Sequence, residues 1–172
     1  MKKFNLLLNK LTKPVVAITL SAVVLTFTVV ITHSMVVRHY EFDTGVKLTS
    51  NEFTCLTENI YYEAGNQPMV GKVAVGYVTI NRLFDGNFPS NVCKVVYEKS
   101  KVCQFTWTCN TRPKLNQAQW IESEKAAKFI AEKYNHAHDP TMGALYYHAN
   151  YVKPQWKNVT KTVTIEDHIF YK

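Results

Sequence analysis

The stretch TSNEFTCLTENIYYEAGNQPMVGKVAVGYVTINRLFDG, residues 49–86, carries the pattern that decides the fold. Thr49 with Glu52 three residues on is a capping box, and Leu48 with Phe53 is the hydrophobic staple that often accompanies one. A helix therefore starts here, runs to about Ala64 and stops at Gly65, a residue suited to a helix C-terminus. A second helix is predicted over Met69–Phe84, where Val70, Val73, Val75, Val78 and Ile80 fall around most of the circumference. A helix apolar on all sides is a buried one. Farther along, Ser90 is placed to cap a short third helix reaching about Glu98. Asn116 is placed to cap a long fourth one through Tyr134, with Trp120, Ala127, Ile130, Ala131 and Tyr134 on one side. The character then changes: ALYYHA at 144–149, KTVTI at 161–165 and HIFY at 168–171 are short and rich in strand formers. The expected fold class is α+β, mostly helical, with a small C-terminal β-sheet.

The chain has 172 residues, 47% hydrophobic and 19% charged, enough for one domain with a real core plus an appendage. Its formal charge is +7, yet from Tyr40 onward 15 Lys and Arg face 13 Asp and Glu, leaving +2. The basicity is an N-terminal feature, so nucleic acid is not an expected partner. Residues 14–32, PVVAITLSAVVLTFTVVIT, run for 19 residues without a charge, close to the roughly 20 that cross a bilayer. This predicts a single N-terminal transmembrane helix. The rival is a cleaved signal peptide, whose apolar region is usually about 7–15 residues and ends in small residues; this run ends Val29, Val30, Ile31, Thr32, His33. Lys2, Lys3, Lys10 and Lys13 on its N-terminal side keep that end cytoplasmic. The expected layout is a basic cytoplasmic N-terminus (1–13), a signal-anchor in the inner membrane (14–32), a linker (33–47) and a working domain (48–172) held in the periplasm or otherwise outside the cytoplasm, as a monomer.

Export favours disulfides over thiols or metal ligation. Cys103 and Cys109 flank the short segment CQFTWTC, whose loop is easily closed, which leaves Cys55 with Cys93; the alternative is four buried free thiols.

Glu63 lies seven residues after Leu56, so at about 100° per residue it projects within about 20° of Leu56. It sits on the stripe that should be core. It also lies in the last turn of its helix, where carbonyl partial charges disfavour an anion. Apolar surroundings and that dipole both raise a carboxyl pKa, and a carboxyl that keeps its proton near neutral pH is what general acid catalysis requires. The plainer alternative is an ion pair with Arg82 or Lys72. Glu58 should face solvent, and the capping box accounts for Glu52.

Three blocks then carry a resemblance. NIYYEAGNQPMVGKVAVGYVTINRLFDGNFPSNVCKVVYEK (59–99), CQFTWTC (103–109) and ALYYHANYVKPQW (144–156), with a closing HIFY, resemble in order the SleB-like cell wall hydrolase family, relatives of spore cortex-lytic enzymes. The resemblance extends from about Cys55 to Tyr171. It implies a lysozyme-like fold and cleavage of peptidoglycan glycan strands between N-acetylmuramic acid and N-acetylglucosamine. It also implies that the glutamate of the family's YxEA segment, Glu63 here, is the catalytic acid. Well-studied members react as lytic transglycosylases, in which one glutamate serves as acid and then base, and no cofactor is implied. A common form of the family reads EARGE where this chain has Glu63, Ala64, Gly65, Asn66, Gln67; the Arg and the second Glu are missing.

The alternative on the same bond is muramidase-type hydrolysis, which commonly needs a second carboxylate. Asp85, in the turn DGNFP, is adequately explained as a turn residue. Glu122, Glu124 and Glu132 fall on the exposed side of the long helix, and Glu166 and Asp167 in a turn between strands. Sugar recognition needs flat apolar faces edged by hydrogen-bonding groups. Gln104, Tyr147, Tyr146, Trp107 and His148 supply them, with Phe105 and one of the adjacent tyrosines equally suited to the core. Asn81 and Arg82 either reach the same cleft or cap their helix. A rival class is a zinc amidase or peptidase built on His136, His138 and Asp139 with His148 or His168, against a plain polar loop ahead of Pro140; no metal is expected. A non-catalytic glycan-binding module is the third class. Bacterial wall remodelling and phage lysis, as an endolysin, are two settings for the same chemistry.

Overall fold

The computed structural model describes residues 45–99 and 103–172. The chain divides into two units, Met1–Arg38 and His39–Lys172, and every described residue belongs to the second. That unit is mostly helical α+β. Its helices are α1 (Ser50–Ala64), α2 (Met69–Phe84), α3 (Val92–Val96) and α4 (Gln117–Lys133), followed by strands β1 (Tyr146–Ala149), β2 (Lys161–Ile165) and β3 (His168–Tyr171).

The capping box forms at α1: Thr49 Oγ1 accepts from Glu52 N at 3.2 Å, and Glu52 Oε2 accepts from Thr49 N at 3.1 Å. The other oxygen of Glu52 accepts from Asn91 Nδ2 at 2.9 Å, so one acid ties the starts of α1 and α3 together. The cap of α3 is Asn91 rather than Ser90. Asn91 is extended and its side chain accepts from Lys94 N at 3.1 Å, satisfying a donor that Ser90, one residue too early, does not. The helix ends at Val96, short of Glu98.

Gly71 through Arg82 of α2 are all buried, the consequence of an apolar circumference. At Gly76 two neighbouring helices come in close. A Cβ there would lie 2.3 Å from Ile130 Cδ1 of α4 and 2.8 Å from Ile60 Cδ1 of α1. The sheet is antiparallel in the order β1-β3-β2. Its inner face sets Phe170 against Ala74, Val78 and Ala144, while Tyr147 packs on both this cluster and the main helical core. Tyr147 pairs with Phe170 across β1 and β3, so the alternation of a strand sends Tyr147 inward and Tyr146 and His148 outward. Disulfides join Cys55 to Cys93 and Cys103 to Cys109.

The expectation of a single transmembrane helix as part of this fold is corrected. Among the described residues no helix is long and apolar enough to cross a membrane, and residues 14–32 lie outside them. The longest described helix, α4, has 17 residues, about 25 Å at 1.5 Å per residue against a hydrocarbon core of about 30 Å. It also carries charges such as Lys125 and Glu122, which pair at 2.7 Å. The fold therefore rests on the described unit alone.

The tight crossing at Gly76 gives a test. Gly76→Val is expected to destabilise the domain by about 1–3 kcal/mol through overpacking, read as a lower midpoint in urea unfolding; an unchanged midpoint would show that Ile60 and Ile130 yield freely.

Candidate functional site

The last turn of α1, the end of α2, the Cys103–Cys109 loop and β1 converge on a cleft of about 190 Å³. Glu63 lies in it with Arg82 and Gln104, and Phe105, Tyr146, Tyr147 and Trp156 supply its aromatic walls. Tyr147 Oη donates to Glu63 Oε2 at 3.2 Å across 84 residues of sequence. Arg82 is 2% exposed. Its Nε donates to the Leu145 carbonyl at 2.6 Å. With the Gln104 amide turned so that its oxygen faces the guanidinium, that oxygen accepts from Nη1 at 3.0 Å and Nη2 at 3.2 Å. The guanidinium also lies 5.2 Å from the centre of Phe88, 5.6 Å from Phe105 and 5.8 Å from Tyr146, within cation–π range.

Burial raises the Glu63 carboxyl above its ordinary value of 4.5, against the Tyr147 hydrogen bond, the Arg82 charge and the Trp107 indole, which all favour the anion. Desolvation wins because, among the described residues, no ion pair joins Glu63 to Arg82; the cation acts at a distance and is held by a carbonyl, an amide and rings instead. Neither does Lys72 pair with Glu63, since its ammonium donates to the Gln67 carbonyl. The Trp107 indole nitrogen is buried without a hydrogen-bond partner of good geometry, so its influence on Glu63 is that of a nearby dipole. Burial and the Glu63 charge push the Tyr147 hydroxyl well above 10.0, which keeps it a donor at any working pH. Burial lowers His168 below its usual range; the ring meets Tyr147 edge-on at 5.3 Å.

Of the residues singled out from the sequence, the cleft gathers Glu63, Gln104, Tyr146 and Tyr147. Trp107 stands behind it, stacked on Tyr62 at 4.5 Å. His148 faces outward, bonded to Tyr171 Oη at 2.9 Å. Asn81 turns away from Glu63: it donates to Asp139 Oδ2 and to the Ala144 carbonyl, each at 3.0 Å, and accepts from Tyr134 Oη at 2.8 Å. Its neighbour Arg82 is the one that reaches the cleft. Asp139 is a loop organiser, accepting from Thr141 N and Gly143 N at 2.7 Å each. Among the described residues no three His, Cys, Asp or Glu gather to hold a metal ion. Asp85 accepts from Asn87 N at 2.9 Å, as a turn residue does. Gln67, where the family form has Glu, donates to Asp167 Oδ2 at 2.9 Å; a carboxylate there would repel Asp167. Sequence reasoning missed Trp156, an aromatic left 43% exposed after the segment KPQ. Its place at the end of the block ALYYHANYVKPQW, which already carries the family resemblance, was the available signal.

The described unit matches the crystal structure of the catalytic domain of the Bacillus cereus SleB protein, with a TM-score of 0.53 at 24% identity, covering 73% of this chain and 92% of that one. The fold is thus that of the SleB catalytic domain. The family profile described as Cell Wall Hydrolase matches residues 66–171, and the chain belongs to that family. The match begins three residues beyond Glu63. Similar proteins include the spore cortex-lytic enzyme of Halalkalibacterium halodurans, 32% identical over 58% of this chain and 27% of the relative. Another is that of Bacillus cereus, 29% identical over 72% of this chain and 45% of the relative. The chain spans less than half the length of these curated relatives.

A carboxyl raised by folding holds its proton more tightly when folded, so it contributes stability below its unfolded value that is lost as pH rises through its folded one. Glu63→Gln is therefore expected to leave the melting temperature nearly unchanged at about pH 4 and to raise it at about pH 8. A variant less stable than wild type at the higher pH would show that the charged form is well solvated.

Proposed function

We propose that this cell wall hydrolase cleaves peptidoglycan glycan strands between N-acetylmuramic acid and N-acetylglucosamine, with Glu63 as acid and then base. The observation that carries the reading is a half-buried carboxyl, raised above its ordinary value by desolvation and without a second carboxylate among the cleft's lining residues, in an aromatic-walled cleft. Protonated Glu63 gives its proton to the glycosidic oxygen as the bond from C1 of the muramyl residue breaks, and N-acetylglucosamine leaves as an alcohol. The carboxylate then formed is stabilised by the Tyr147 hydroxyl and the Arg82 charge, two influences worth more in a dry cleft than in water. It takes the proton of the muramyl 6-hydroxyl as O6 bonds to C1, closing a 1,6-anhydro ring and restoring the acid. No water is consumed.

The residues lining the cleft include no carboxylate besides Glu63, which favours this lytic transglycosylase route over hydrolysis by paired carboxylates at roughly 5–5.5 Å or 6.5–9.5 Å. Glu98 also acts on the Arg82 charge and is the acid to examine if the product is hydrolytic. Gln104 and Tyr146 offer an amide and a ring face to the sugar. Two disulfides within the described unit fit an oxidising compartment, so we place the working domain outside the cytoplasm. The similar proteins are named for the spore cortex, and a cortex wall is one in which such a bond would be cleaved.

Glu63→Gln keeps the shape and removes the titrating proton. It is expected to stay folded, bind purified sacculi and lose at least about 100-fold in muropeptide release; retained release would remove Glu63 from the chemistry. Mass spectrometry of wild-type products should show anhydromuramyl ends, whereas reducing muramyl ends would mean hydrolysis. Tyr147→Phe should lower kcat by about tenfold and move the alkaline limb of the pH profile upward, because the lost hydrogen bond was lowering the Glu63 pKa. A limb that moves downward or stays in place would contradict the assignment.

A further inference from the structure

Beyond Trp156 lies a larger hollow of about 430 Å³ that the mechanism leaves without a role. Trp156 lines both this hollow and the Glu63 cleft, so the two are neighbours across one residue. Its ring centre lies 5.9 Å from Tyr146 on the cleft side and 5.5 and 5.6 Å from His148 and Tyr171 on the far side. His148 sits against the Ala149 carbonyl through Nδ1 at 2.8 Å and Tyr171 Oη through Nε2 at 2.9 Å. A carbonyl only accepts, so Nδ1 carries a proton and donates to it. Both ring nitrogens are thereby used, and His148 offers the hollow its ring.

The charge comes from Lys153. No carboxylate lines the hollow, and among the described residues no ion pair occupies Lys153. A half-exposed indole beside an unpaired ammonium suits a pyranose ring that carries an anionic substituent: the ring lies on the aromatic face and the anion meets the cation. N-acetylglucosamine has no such substituent. A muramyl residue has one, either its own lactyl carboxylate or the carboxylates of the peptide attached there.

We propose that this hollow is a second glycan subsite, next to the Glu63 cleft across Trp156, that holds a muramyl residue of the strand and recognises its carboxylate through Lys153. The inference rests on the peptidoglycan reading above. It makes Lys153 a specificity determinant and Trp156 the platform shared by successive sugars.

The test is calorimetric titration of the full chain carrying Glu63→Gln with three ligands. These are N-acetylglucosamine tetramer, which has no carboxylate; a peptidoglycan tetrasaccharide stripped of peptide, with lactyl carboxylates; and the same tetrasaccharide bearing its peptides. Adding Lys153→Ala should weaken binding of carboxylate-bearing ligands about tenfold and of the N-acetylglucosamine tetramer by less than about twofold. Lys153→Arg should restore most of the loss, and Trp156→Ala should weaken all three. Loss on both muramyl ligands assigns the contact to the sugar's substituent in either form, and loss only on the peptide-bearing one assigns it to the peptide. An equal loss on all three ligands, or on none, would overturn the proposal. Release of muropeptides from sacculi by wild type is scored separately. Failure there with discrimination intact removes the cleavage reading and leaves a carboxylate-reading glycan site, whereas cleavage without discrimination removes only the subsite.

Discussion

The site depends on one unfavourable act, the withdrawal of the Glu63 carboxyl from water. Three neighbours favour its anion, yet burial outweighs them and the proton is held more tightly than in solution. The balance requires each partner to be present but weak. Tyr147 gives one hydrogen bond at 3.2 Å, Trp107 an indole dipole without bonding geometry, and Arg82 a charge without contact. A direct guanidinium–carboxylate pair would act against the burial and favour loss of the proton. Removing Arg82 would take away a charge that favours the anion and leave the Tyr147 hydrogen bond and the Trp107 dipole to do so.

How the protein keeps a buried cation near a half-buried acid without joining them follows from the packing around Arg82. Its side chain is drawn aside by the Leu145 carbonyl at 2.6 Å, the Gln104 amide and the faces of Phe88, Phe105 and Tyr146. Gln104 and Phe105 come from the loop closed by Cys103 and Cys109, so that loop fixes the cation as well as the wall of the cleft. A second anchoring set lies behind it. Arg112 pairs with Glu58 at 3.1 Å and sits 5.2 Å from the centre of the Trp107 ring, while Tyr62 stacks on the same indole. Glu58 thus spends its charge holding the loop rather than facing open solvent.

Much of the helical framework was legible because its causes are local. The capping box at Thr49 and Glu52, the apolar circumference of residues 69–84 and the closing of a short cysteine loop each depend on residues within a few turns of one another. The same is true of Glu63 on the apolar stripe of α1, which a helical wheel reveals without any knowledge of what packs there. The cap of α3 was misplaced by one residue because Ser90 and Asn91 both suit a cap, and it is Asn91 that also donates to Glu52 from 39 residues away. Trp156 was overlooked because it belongs to no periodic element.

The sequence by itself determined which segments become helices and strands, that α2 is buried, and that an acid occupies an apolar position at the end of α1. All of these follow from backbone periodicity and capping chemistry. Only the tertiary structure decided which partners that acid meets. Asn81 and Arg82 are adjacent, yet the crossing of α2 with the sheet sends one to Asp139 and Ala144 and the other to the cleft. Tyr147 and His148 are adjacent as well, and the pairing of β1 with β3 turns one toward Glu63 and the other toward Tyr171. Such choices rest on the register and crossing of elements distant in the chain, where a shift of one residue reverses every side chain, and no local window of sequence contains that information.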